Sequence, residues 1–204
     1  MRTQRHFCLG LIGLAAIVAI GFSLKASPQE KGTVLGVAAQ SDQTRSLRAF
    51  AVVASVLTSP RCLNCHIPGD SPLQGDSETP HNMNVKRGPD GRGTTAMRCM
   101  NCHQEENSTE LHAPPGRPDW RLPRPSMRMA WQGLTLSDMC RALKDPAKNG
   151  GKSPAQLIEH VRDDGIVNWG WNPGPGRSTP PVSHEEFVAQ LTRWVQTGAA
   201  CPNE

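Results

Sequence analysis

Two short stretches decide how this chain is read: Cys62-Leu63-Asn64-Cys65-His66 and Cys99-Met100-Asn101-Cys102-His103. Each places two thiols three residues apart, with an imidazole directly after the second. On a single turn of chain that spacing brings both sulfurs to one edge and the imidazole beside them. The chain has 204 residues, with seven Cys and seven His. Chance supplies roughly 0.01 such motifs in a chain of that composition, so two occurrences carry information.

C-x-x-C-H is the attachment signature of haem c. Two porphyrin vinyl groups each accept a thiol as a thioether, and the His supplies the proximal nitrogen to iron. Cys62, Cys65, Cys99 and Cys102 are therefore expected to bind two haem c groups, with His66 and His103 as proximal ligands. The same four thiols could instead form a zinc site or two disulfides. A zinc ribbon does not need a His after each pair, and such sites are commoner in reducing compartments.

The composition agrees with a small chain organised by cofactors. Hydrophobic residues make up 37%, there are five Trp, four Phe and no Tyr, and Pro and Gly number 18 and 19. Few large side chains give a thin core, and so much Pro and Gly demands turn and extended chain. A TIM barrel, a large sheet and a dinucleotide fold are excluded, and no phosphate-binding glycine motif occurs. The formal net charge is +4, but Arg2, Arg5 and Lys25 precede the first acid, Glu30. The remainder, 19 basic against 18 acidic residues, makes no polyanion-binding surface, so nucleic acid is not a partner.

Arg2 and Arg5 precede an uncharged run, Phe7 to Leu24. Residues 1–26 read as an export signal, or as a membrane anchor if uncleaved, with residues 7–24 near the lower length limit for a span. Cys8 inside it lacks a lipoprotein context. An exported protein tends to pair leftover thiols, which makes Cys140 and Cys201 the expected disulfide.

The rest divides into a linker (27–41), a dihaem-binding region (42–130) and a helical C-terminal region packing on the haems (131–204). The fold class expected is mostly α with long Pro/Gly-rich loops, a compact cytochrome c-like domain organised around two covalently bound haems. Leu47, Phe50, Ala51, Ala54 and Leu57 form one apolar stripe of a helix over 42–57. Thr135 to Asp138 and Ser183 to Glu186 resemble capping boxes, and Ser153-Pro154 opens a third helix ending near Asp164. Residues 67–98 and 113–125 read as loop and extended chain, with Trp120 placed to lie on a porphyrin. Trp169 to Gly176 reads as a rigid aromatic loop.

The sixth iron ligands remain open. His81 lies in the loop between the motifs, and His160 borders the apolar face of its helix beside Leu157. These two are the distal candidates, with Met127 and Met129 weaker ones. His112 is restricted by Pro114 and Pro115, and His184 is expected at the surface.

Further stretches narrow the reading. Pro80-His81-Asn82-Met83-Asn84-Val85-Lys86-Arg87-Gly88, Pro114-Pro115-Gly116-Arg117-Pro118-Asp119-Trp120 and Asn149-Gly150-Gly151-Lys152 resemble a small family of exported bacterial dihaem cytochromes. So do Val167-Asn168-Trp169-Gly170-Trp171-Asn172-Pro173-Gly174 and Gly198-Ala199-Ala200-Cys201-Pro202. Its members are labelled as an isoquinoline 1-oxidoreductase subunit, and the match runs from about Arg61 to the C-terminus. The resemblance implies haem attachment outside the cytoplasm. It also implies a redox partner protein, a molybdenum hydroxylase that gives electrons to the haems. The chain is too short to hold a molybdopterin or flavin fold of its own. The expected function is electron transfer in the periplasm. A dihaem peroxidase-like enzyme with one open iron and a zinc-binding structural module are the alternatives.

Overall fold

The computed structural model describes residues 30–203. The expected signal or anchor over 1–26 lies outside them. No described helix is long and apolar enough to cross a membrane. The chain is mostly helical, with few and very short strands.

Helix α1 spans Glu30–Leu57. Residues 30–41, expected as linker, are helical and belong to it. Beyond Gly36 no Gly or Pro interrupts the chain until Pro60, so nothing stops a helix started earlier. Its buried face carries Ala49, Phe50, Val53, Val56 and Leu57. Ala51, expected on that face, is exposed. The helix is rotated so that Val53 and Val56, with more apolar area than one Ala, reach the core.

Helix α2 is the single turn Pro60–Leu63. Helix α3 (Leu136–Lys144) brings Met139, Cys140 and Leu143 to α1. Helix α4 covers Pro154–Asp163, α5 is the turn Gly165–Asn168, and α6 spans His184–Gln196. Phe187, Leu191 and Trp194 of α6 close the core against α1. Three hydroxyl caps open these helices as their sequences suggest: Thr135 accepts from the Asp138 N–H, Ser153 from Gln156 and Ser183 from Glu186. The expected aromatic loop at Trp169 instead begins as a helical turn, Trp169–Trp171, continuing α5. Asp164 caps α5 by accepting from the Ile166 N–H, which starts the turn early.

Cys140 and Cys201 lie at disulfide distance, 2.08 Å. The bridge ties α3 to the segment after α6. The buried Ser46 hydroxyl serves the same end. It donates to the Trp194 carbonyl and accepts from the Ala200 N–H.

Between α2 and α3 the chain is loop. Two minimal antiparallel hairpins punctuate it: β1 (Leu73–Gln74) with β2 (Thr79–Pro80), and β3 (Gly93–Thr94) with β4 (Met97–Arg98). Few large apolar residues are buried here, so polar groups hold it. The guanidinium of Arg87, with no exposed side-chain surface, donates to the carbonyls of Ile67, Gly69 and Pro123.

Candidate functional site

The two C-x-x-C-H stretches fold alike. In the first, the N–H groups of Cys65 and His66 both donate to the Cys62 carbonyl, at 3.2 and 3.1 Å. In the second, Cys102 and His103 donate to the Cys99 carbonyl, at 3.2 and 2.9 Å. Each motif is therefore one closed turn; in the second, Cys99 and His103 are buried while Cys102 is exposed. Pro60 starts the first turn, where its missing N–H costs nothing. None of the four motif cysteines is disulfide-bonded.

The imidazoles are fixed alike as well. His66 Nδ1 lies 2.8 Å from the Met129 carbonyl, and His103 Nδ1 lies 2.7 Å from the Pro115 carbonyl. The carbonyl accepts the Nδ1–H, which leaves Nε2 as the free lone pair. A tryptophan lies flat on each ring: Trp131 on His66 at 3.6 Å, and Trp120 on His103 at 4.3 Å, both within 6° of parallel. Burial pushes both imidazoles down to about 4, so both are neutral at pH 7, the form that binds a metal.

The first motif opens onto an apolar cavity. Cys62, Cys65 and His66 line it together with Leu157, Phe187 and Leu191. Burial pushes the Cys62 thiol up to about 12 and Cys65 up to about 11, the latter opposed by Arg87 and Arg61. Among the described residues no three His, Cys, Asp or Glu side chains converge as a metal-ligand group. A porphyrin iron asks for only two protein ligands.

Arg61 also lines the cavity. Its side chain is 2% exposed, it is paired with Asp76, and its Nε is buried without a partner. A ligand carrying carboxylates would satisfy that donor, as the propionates of haem would. Donor, thiols and cavity thus fit such a group at the first motif; Cys99, Cys102 and His103 do not line this cavity.

No family model, curated protein or solved structure matches the chain.

The distal candidates fall in different places. The His81 ring lies 6.0 Å from the His103 ring, tilted by 57°. A metal held between two imidazole nitrogens at about 2 Å each separates the ring centroids by roughly 6 Å. His81 Nδ1 is 2.9 Å from the Asn82 carbonyl, so its Nε2 is also the free nitrogen. His160 lines the same cavity as His66, with its Nδ1 3.3 Å from an oxygen of Asp164. Met129 offers its carbonyl to His66 Nδ1, which places it behind the imidazole. Met129 also lines the cavity. Met127 is half-buried and does not line the cavity.

Two further histidines have structural partners. His112 is exposed, with a left-handed backbone. His184, expected at the surface, is half-buried; its Nε2 lies 2.6 Å from the Val161 carbonyl and its ring 4.7 Å from Trp171.

The sequence reading did not find the carbonyls of Met129 and Pro115, the stacking of Trp131, Arg61 as a cavity donor, or Asp164. Only Asp164 left a signal, standing four residues after His160 at the end of a helix.

Proposed function

We propose that this chain is a dihaem c-type cytochrome that carries electrons in the periplasm and does no substrate chemistry of its own. The observation that carries the reading is the duplication. Both C-x-x-C-H turns close on the same backbone hydrogen bonds, and both imidazoles are left with a free Nε2. Bound haem c would supply a one-electron ferric–ferrous couple.

The chain's own residues have distinct tasks in this reading. Cys62 and Cys65 anchor the first group, and Cys99 and Cys102 the second. His66 and His103 are the proximal ligands, oriented by the Met129 and Pro115 carbonyls and steadied by Trp131 and Trp120. His160 would hold the first group together with His66, and His81 the second together with His103. The apolar wall around His66 excludes water, and the unpartnered Nε of Arg61 would donate to a carboxylate of the bound group. The donor is a partner oxidoreductase of the molybdenum hydroxylase class, as the resemblance implies, and the chain reaches it as an exported protein.

The test is an alkaline pyridine haemochrome spectrum, with intact mass, on protein matured by a haem c attachment system. A c-type spectrum and a mass for two haems are expected. A colourless protein containing zinc overturns the proposal.

A further inference from the structure

The four histidines assigned to the two centres differ in what holds their Nδ1. Three sit on neutral peptide carbonyls: His66 on Met129, His103 on Pro115 and His81 on Asn82. The fourth, His160, sits on a carboxylate, with Asp164 Oδ2 3.3 Å away.

That carboxylate is fixed from several sides. Its residue ends α4, where the Asp164 N–H donates to the His160 carbonyl at 3.0 Å. Its Oδ1 accepts from the Ile166 N–H at 2.8 Å and caps α5. Its Oδ2 also meets Arg121 at 3.1 Å, and Arg121 is itself paired with Asp119. Asp164 therefore cannot swing away from the imidazole without opening the α4–α5 junction.

We propose that Asp164 is a positioning residue of the first centre, holding His160 with Nε2 toward the cavity and making it the strongest electron donor of the four imidazoles. This rests on the dihaem reading and on His160 as an iron ligand. A carboxylate on Nδ1 fixes the tautomer and raises the basicity of the ligating nitrogen. Its negative charge favours the ferric over the ferrous iron, which carries one positive charge fewer. The first centre is thus held at a lower potential than it would have with a carbonyl in that place.

The experiment is potentiometric titration of the matured protein with D164N, D164A and R121Q. Asn is a good helix cap, so D164N keeps the junction while removing the charge. One of the two midpoint potentials is expected to rise in D164N and D164A, with the other unmoved. The same potential is expected to fall in R121Q, because the carboxylate then acts unopposed. A residue that only caps α5 would move neither potential in D164N. Two attached haems with both potentials unchanged in D164N overturn the role of Asp164 and leave the dihaem reading standing. A chain that attaches no haem overturns both.

Discussion

At the scale of single residues, the two motif histidines are held by one device used twice. An imidazole is neutralised by burial, turned by a carbonyl and covered by an indole. In the dihaem reading proposed above, His81 and His160 are the opposing ligands, and each can be replaced without altering a motif cysteine. H81A is expected to convert the second centre, and H160A the first, from low-spin to high-spin with CO binding. Both variants should keep two attached haems. The absorption spectrum with and without CO reads this directly, and an unchanged spectrum in either variant removes that residue from the ligand set. The two closed turns were legible in the sequence because each C-x-x-C-H motif keeps its thiols and imidazole within five residues. The stacked Trp131 was not legible, because its contact with His66 spans 65 positions and follows from a loop path that no local pattern encodes.

At the scale of elements, polar bonds do in the loops what apolar burial does in the helices. The β3–β4 hairpin shows this through Asp90, whose carboxylate accepts from both Nη atoms of Arg98 and from the Arg92 N–H. Arg98, then the Arg92 N–H, hold the Asp90 carboxyl down at about 2. A carboxyl depressed in the folded state contributes stability above its unfolded pKa and loses it as pH falls. The hairpin contribution is therefore present above about pH 4 and lost toward pH 2. D90N should flatten the stability profile across that window and leave it unchanged in slope at pH 7, as chemical denaturation at stepped pH will record. Element boundaries followed the capping residues closely, since a Ser or Thr cap is a local signal. The face of α1 did not. Ala49 and Ala51 have the same hydropathy on nearly opposite sides of the helix, and only packing against Phe187 and Trp194 of α6 chooses between the sides. The helical turn at Trp169 was also hidden, because Gly170 and the later Pro and Gly residues outweigh a cap supplied by Asp164.

At the scale of the whole molecule, the two motifs lie in unequal surroundings. The helical part has its own core of α1, α3 and α6, and the Cys140–Cys201 bridge closes it. A loop of 61 residues closed in this way is constrained by roughly 4 kcal/mol in the unfolded chain. The loop part, residues 67–125, buries only Ile67, Cys99 and Leu122 among its hydrophobic residues, too little apolar area to offset the ordering of so much backbone. Haem-free chain, obtained from cells without the attachment system, should therefore exchange its amide hydrogens rapidly over 67–125 and slowly over α1 and α6. Attachment of both haems should bring the loop region into protection. Equal protection of both regions without haem would show that Arg87 and its carbonyls suffice.

Trp120 lies flat on His103 and edge-on to Trp169 at 4.8 Å, and it also lines the cavity that holds His66. One indole is thus shared property of two centres that look like duplicates in the sequence. The consequence is architectural: the repeated motif does not mark a repeated module. A fragment trimmed to the first motif loses part of its cavity wall, and one trimmed to the second loses the partner that keeps its indole upright. Half of this protein is not a smaller version of it.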